Sequence, residues 1–178
     1  MQETNLYTST IPPMMKTLKN LSAILDKAAG HADAKGTEKR PGSVHMEALL
    51  NDRLVFDQFP LLRQVQIACD NSKAGAARLA GMEAPKFEDN EKSVAELKAR
   101  IEKTLEFMQS IKPEQIIGQE ERLVSLPYWP NHLNAFGYAT EYLMPNFYFH
   151  VATAYSILRK NGVDVGKADY MGTLPFID

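Results

Sequence analysis

Residues 145–161 read PNFYFHVATAYSILRKN, and this stretch decides the fold class. Its apolar residues recur at spacings of three and four: Phe147, Val151, Ala154 and Leu158. That spacing places them on one face of a helix. The following Asn161-Gly162 is typical of a helix end, because both residues tolerate the left-handed conformation. The pattern predicts a long amphipathic helix that carries His150 and packs its apolar face on other helices.

Two upstream segments show the same periodicity. The first runs from Ile11 to Ala29, with Ser9 or Thr10 as its cap and Pro12 in its first turn, where a missing N–H is tolerated. The second starts near Phe59-Pro60 and ends at Gly81. Both are predicted to be core helices.

A third helix follows, and the fourth is less regular. Ser93 and Glu96 form a capping box for a helix that continues toward Pro113. The fourth occupies about Asn134 to Lys160 and is broken or restarted at Pro145, which lacks an N–H. Antiparallel packing of four such helices in an all-α bundle is the simplest way to bury their apolar faces.

The connections differ in character. Residues 30–42 predict an exposed loop, and Ser43 caps a short helical turn after it. From Gly118 to Pro130, a short alternation of apolar and polar residues and two prolines predict an extended excursion or a small hairpin. The tail after Gly162, through Asp178, is predicted to be a loop.

Composition limits the class of protein. The 178 residues fit one domain, 1–178, with 44% hydrophobic residues and a net charge of -2. Without a basic surface, nucleic-acid binding is not expected. A single cysteine, Cys69, allows no internal disulfide and no cysteine cage for a metal. The N-terminal residues resemble no secretory signal and no run of about 18 apolar residues occurs, so we expect a cytoplasmic protein without a membrane span.

His150 is the first candidate for chemistry. The four histidines form no His-Glu-x-x-His or Glu-x-x-His motif. Asn146 and Thr153 share a helix side with His150, so the three residues form a polar line. The histidine is then a hydrogen-bonded core residue, a metal ligand or an acid–base or substrate-contacting group, and the sequence leaves these three open.

A second polar line is predicted on the second helix. Asp57 and Gln64, with Arg53 more loosely, are spaced to share a side that would face His150 across the bundle. The alternative is a solvated face with an ordinary surface ion pair. Cys69 is interpreted as an inert core thiol rather than a nucleophile.

Residues 53–70, RLVFDQFPLLRQVQIACD, and 145–170, PNFYFHVATAYSILRKNGVDVGKADY, resemble a bacterial family of unknown function. That family is grouped with the DinB-like, YfiT-type proposed metalloenzymes. The resemblance implies an up-down-down-up four-helix bundle, often a homodimer. It also implies relatives that bind nickel or zinc through three histidines, some of them being thiol-dependent transferases acting with bacillithiol, mycothiol or glutathione.

The resemblance implies where those ligands lie. In those relatives, one histidine comes from the second helix and two come from a His-x-x-x-His pair on a late helix. Here the late pair reads Asn146-x-x-x-His150, and the second helix offers Asp57 or Gln64. Only His150 matches, so the metal triad is incomplete.

The leading functional hypothesis is a small-molecule pocket between the second and fourth helices, without a cofactor. Its predicted residues are Asp57, Gln64, Asn146, His150 and Thr153. One alternative is a nickel- or zinc-dependent thiol transferase or hydrolase with His150 as a metal ligand. The other is a structural homodimer without catalysis. Whether the protein is an enzyme stays open at this point.

Overall fold

Helices and one small hairpin make up the fold of residues 4–176, which the computed structural model describes. In chain order the elements are α1 (Leu6–Ala34), α2 (Gly42–Asn51), α3 (Leu61–Ala80), α4 (Val94–Gln109), a 3-10 turn (Pro113–Gln115), β1 (Leu123–Ser125), β2 (His132–Asn134), α5 (Ala135–Gly137), a π-helical turn (Tyr138–Leu143), α6 (Met144–Lys160) and α7 (Lys167–Met171). The mostly helical class predicted from the sequence is confirmed.

The long helices form a ring around the core. α1 packs against α4 and α6, and α3 packs against the same two helices. The centre is apolar, with residues such as Leu18, Val65, Ile101 and Phe147 fully buried. This arrangement agrees with a four-helix bundle, whereas the up-down-down-up order of directions stays a prediction. No helix of residues 4–176 combines the length and apolar character that crossing a membrane requires.

α1 begins earlier than its periodicity predicts. Asn5 is the cap: its Oδ1 accepts from the N–H of Thr8 at 2.9 Å, and its own N–H donates to Thr8 Oγ1 at 3.0 Å. The expected cap at Ser9 or Thr10 is therefore wrong, because the reciprocal Asn5–Thr8 pair satisfies the free N–H groups one turn earlier. Pro12 consequently lies inside the helix.

The predicted C-terminal end of α3 and the predicted start of α4 are confirmed, whereas α4 ends at Gln109 instead of continuing to Pro113. Gly81 ends α3 with a φ of 69°, the left-handed conformation that glycine adopts without strain. Ser93 Oγ accepts from the N–H of Glu96 at 3.2 Å, and Glu96 Oε2 accepts from the N–H of Ser93 at 3.0 Å. Ser43, by contrast, does not cap α2, which has Pro41 at that position.

The excursion before the last long helix is the expected hairpin. β1 and β2 pair antiparallel, with Val124 opposite Leu133. Trp129 in the connecting loop is 55% exposed and contacts Tyr142 edge-on, with ring centroids 5.5 Å apart. The tryptophan thus pins the loop to the π-helical turn.

The last helix changes register where Pro145 would interrupt it. Met144 donates its N–H to the carbonyl of Ala139, five residues back, so the turn before Pro145 is π-helical. A wider turn accommodates a proline ring and its missing N–H without ending the helix. The predicted break is therefore a bulge.

The tail contains a short helix that the sequence reasoning missed. α7 starts where Asp169 accepts from the N–H of Gly166 at 2.8 Å, and Asp169 also pairs with Lys27 of α1 at 2.7 Å. Asn20 donates to the carbonyl of Tyr170 at 3.0 Å. Five residues are too few to show helical periodicity, and contacts with α1 hold this helix. The last two residues of the predicted loop lie outside the described residues.

Candidate functional site

His150 lies half-buried on α6 and faces α3. Its Nδ1 is 2.7 Å from Oε1 of Gln64, a residue only 1% exposed. The ring of Phe149 stands edge-on to the imidazole at 5.2 Å between centroids. The structure therefore brings together two of the five residues predicted to form a pocket.

The amide of Gln64 is oriented by the chain that precedes α3. Its Nε2 donates to the carbonyl of Phe59 at 3.0 Å, so Oε1 is the end that points at the histidine. An amide oxygen accepts hydrogen bonds and cannot donate, so the bonded Nδ1 carries the proton. In the neutral ring Nε2 is then left with a free lone pair.

Two effects keep this imidazole neutral. Burial lowers the pKa of His150, and the positive charge of Arg63 lowers it further. Arg63 itself is held by Gln66 at 3.1 Å and by the carboxylate of Asp89. At neutral pH the site therefore presents an uncharged ring whose acceptor nitrogen is Nε2.

Two other predicted residues, Thr153 and Asn146, lie on α6 and have different surroundings. Thr153 is buried and donates to the carbonyl of Phe149 at 2.7 Å, so its hydroxyl is used within α6. Asn146, one turn before His150, is half-buried, and its side chain makes no hydrogen bond to other residues in 4–176. Its amide is free to meet a ligand.

Asp57 and Arg53 do not lie on α3. Both are exposed in the segment 52–60, which is not helical. Pro60 is extended and the N–H of Leu61 donates to the carbonyl of Asp52 at 2.9 Å. Because a residue before proline disfavours the α conformation, the helix cannot continue back through Phe59. The predicted second polar line is therefore wrong for these two residues.

The donor atoms around His150 fit a divalent metal poorly. Within residues 4–176 no group of three His, Cys, Asp or Glu side chains is placed to hold one. The nearest partner is the neutral amide of Gln64, and Arg63 adds positive charge. Tight sites for zinc or nickel use several imidazole, thiolate or carboxylate ligands.

Cys69 is buried, as the sequence predicts. Burial raises the pKa of its thiol to about 12, despite a hydrogen bond with Thr104 that acts in the opposite direction. A thiol that stays protonated is a poor nucleophile.

Sequence reasoning missed two features that shape the site. The carbonyl of Phe59 orients Gln64, and Arg63 biases the charge of His150. A main-chain carbonyl leaves no signal in a sequence. Arg63 directly precedes Gln64, but which side of α3 it occupies follows only from its contacts with Gln66 and Asp89.

The ring of long helices is the fold of a DinB-like helical bundle. The fold is similar to the crystal structure of a DinB family member protein from Shewanella denitrificans, with a TM-score of 0.88 and 43% identity over 98% of this chain and 99% of that one. The chain belongs to the family described as a domain of unknown function, DUF1993, whose model matches residues 6–171. No curated protein matches it. The predicted resemblance to a DinB-like family of unknown function is confirmed.

Proposed function

We propose that this protein binds a small molecule between α3 and α6, at the acceptor nitrogen of His150, and that the ancestral metal triad is degenerate. The observation that carries the proposal is the hydrogen bond from His150 to Gln64, which fixes Nδ1 as the protonated nitrogen. A protein that orients a half-buried imidazole in this way presents one defined acceptor.

The ligand chemistry follows from that acceptor. Nε2 of a neutral histidine accepts a hydrogen bond from a hydroxyl, amine or thiol group, and Asn146 offers both a donor and an acceptor one turn away. Phe149, 51% exposed beside the imidazole, supplies an apolar surface. The expected ligand is a small molecule with a hydrogen-bond donor next to an apolar or aromatic part.

A fragment screen by nuclear magnetic resonance tests the proposal. Fragments that carry a phenol, an aliphatic alcohol, an amine or a thiol are added to protein with labelled histidine rings. We expect hits to shift the signals of His150 and to be lost in His150→Ala. The same substitution at His132, in the exposed hairpin, serves as the control and should leave the hits unchanged. Hits that survive His150→Ala, or no shift of His150 by any fragment, would refute the proposal.

Elemental analysis separates this function from a metal-dependent thiol transferase or hydrolase. Protein purified without a histidine tag should contain far less than one nickel or zinc per chain, because one imidazole and neutral amides bind such ions weakly. A stoichiometric metal that disappears in His150→Ala would favour the enzyme and contradict the degenerate triad.

A homodimer module is the second candidate, and the exposed apolar side chains favour it. Phe56 is 88% exposed and Phe59 56% exposed, both in the segment 52–60, and Phe149 adds a further ring on α6. Large exposed apolar surfaces often mark association sites. Light scattering after size exclusion should show a dimer that becomes a monomer in Phe56→Ser if this segment is the interface. A monomeric wild-type protein would exclude this candidate.

A further inference from the structure

A cavity lies at the far end of α6 from the Pro145 bulge, where the ends of α1, α2 and α6 meet. Its volume is about 550 Å³. Apart from Asn51, whose Nδ2 donates to the carbonyl of Glu47 at 2.9 Å, the polar groups that line it are His31, Lys35, His45, Asp52, Lys160 and Asn161. The buried side chains of Ala32 and Leu49 form an apolar part of the wall. The cavity has the size of a typical small-molecule site.

The only carboxylate among those lining groups is already neutralised. Asp52 accepts from Asn161 Nδ2 at 2.6 Å and pairs with Lys160 Nζ at 2.9 Å. Lys160 also donates to the carbonyl of Arg53 at 2.7 Å. Both members of this ion pair are therefore occupied with each other and with the backbone.

Three basic groups of the cavity remain without partners. Among residues 4–176, the side chains of His31, Lys35 and His45 make no hydrogen bond or ion pair. Each imidazole offers an N–H in either charge state, and the lysine ammonium offers three. All three groups can therefore donate to an oxyanion, and the lysine ammonium adds a positive charge.

The helix ends do not use these donors. The carbonyl of Ala32 accepts from the N–H of Lys35 at 3.2 Å, and that of Leu49 accepts from the N–H of Asp52 at 3.2 Å. Asn161 Nδ2 donates to the carbonyl of Ile157 at 2.8 Å. Because local donors already satisfy these terminal carbonyls, the histidines and Lys35 are available to a ligand.

We propose that this cavity binds a small molecule through an oxyanion group, a phosphate or a carboxylate. Lys35 and the ring N–H groups of His31 and His45 hold the oxyanion, and the remainder of the molecule covers Ala32 and Leu49. Charge-assisted hydrogen bonds to such groups are stronger than neutral ones. This site is separate from the His150 site and does not depend on its function.

Titration of the histidine ring signals with simple anions tests this inference. Sodium phosphate and sodium acetate are added at constant pH, with sodium chloride at matched ionic strength as a reference. We expect a saturable shift of His31 and His45 while His132 and His150 stay fixed. Saturation by phosphate alone identifies a phosphate site, by acetate alone a carboxylate site, and by both a general oxyanion site. Shifts that never saturate, or that chloride reproduces, would overturn the proposal.

Matched lysine variants locate the binding groups. Lys35→Gln should weaken the preferred anion about tenfold, because it replaces a charge-assisted hydrogen bond with a neutral one. Lys19→Gln removes an exposed lysine of α1 outside the cavity and should change nothing. His45→Gln provides an independent variant on α2. Equal affinities in wild type, Lys35→Gln and His45→Gln would show that the anion binds elsewhere.

Discussion

At the scale of single residues, the carbonyl of Phe59 determines what His150 presents to a ligand. It accepts a hydrogen bond from Nε2 of Gln64, so the amide oxygen Oε1 faces Nδ1 of His150. A carbonyl can only accept a hydrogen bond, so this contact fixes which end of the amide faces the ring. The amide oxygen in turn selects one tautomer of the His150 ring. Water molecules, which both donate and accept, would select neither tautomer.

Replacing Gln64 with Glu should raise the pKa of His150. A carboxylate at this position would stabilise the imidazolium. The amide of Gln64 carries no charge, so burial and the charge of Arg63 lower the pKa of His150 in the wild type. The measurement is a titration of the ring signals of His150 in wild type and Gln64→Glu, with His132 as the internal control. An unchanged or lower pKa in the variant would contradict the contact between the two side chains.

The lowered pKa of His150 also makes stability depend on pH. In the unfolded chain a histidine takes up a proton near pH 6.5, before the folded protein does. The unfolded state therefore binds more protons in this window, and the free energy of unfolding decreases as pH falls from about 7 towards about 5. We expect denaturant titrations of His150→Gln to show a smaller decrease over this range than wild type does. An identical decrease would mean that His150 does not contribute to it.

At the scale of elements, two glycines of the helices have opposite requirements. Gly81 ends α3 with a φ of 69°, and a Cβ there would lie 2.7 Å from Arg122 Nη1. Gly30 lies within α1, and a Cβ there would meet no atom within 4 Å. The first position needs glycine for its backbone conformation, and the second does not.

Alanine at each position should therefore change stability in opposite directions. Gly81→Ala is expected to lower the free energy of unfolding by about 1 kcal/mol or more, because alanine is strained at positive φ. Gly30→Ala is expected to raise it by up to about 1 kcal/mol through helix propensity. Urea denaturation of both variants measures the difference, and changes of equal sign would refute the assignment of the helix end at Gly81.

At the scale of the whole molecule, Arg100 ties two long helices and the loop between them into one unit. Its side chain is 1% exposed, and it pairs with Asp70 of α3 at 2.8 Å and with Asp89 and Glu91 of the connecting segment at 2.8 and 2.9 Å. The guanidinium also lies 5.6 Å from the ring centre of Phe87. Sequence reasoning had no reason to single out this arginine.

Removing the Arg100 charge should destabilise the fold strongly. Arg100→Met leaves carboxylates without their partner, and loss of one member of a buried pair costs about 3–5 kcal/mol. The partial exposure of Asp70 and Asp89 places the expected loss at the lower end of that range, about 3 kcal/mol. Lys98→Met breaks a more exposed pair with Asp26 and should cost less than about 1 kcal/mol. Thermal and urea denaturation of the two variants compare the pairs, and equal losses would contradict the role given to Arg100.

The sequence by itself determined the helical class, the capped start of α4, the glycine end of α3 and the apolar face of α6. These features depend on periodicity and on caps formed by residues within one turn, so neighbours along the chain suffice to specify them. The same holds for the hairpin, because its prolines and its alternation of apolar and polar residues lie within one short segment.

Only the tertiary structure decided which polar residues meet. Gln64 and His150 are 86 residues apart in the chain, and Asp57 lies in a non-helical segment because α3 begins only after Pro60. The cavity of His31 and His45 likewise needs three helix ends to converge. Contacts between distant segments depend on how the helices pack and on where each helix begins. The spacing of apolar residues in a sequence specifies which face of a helix is buried, but it does not specify which residues of two helices meet.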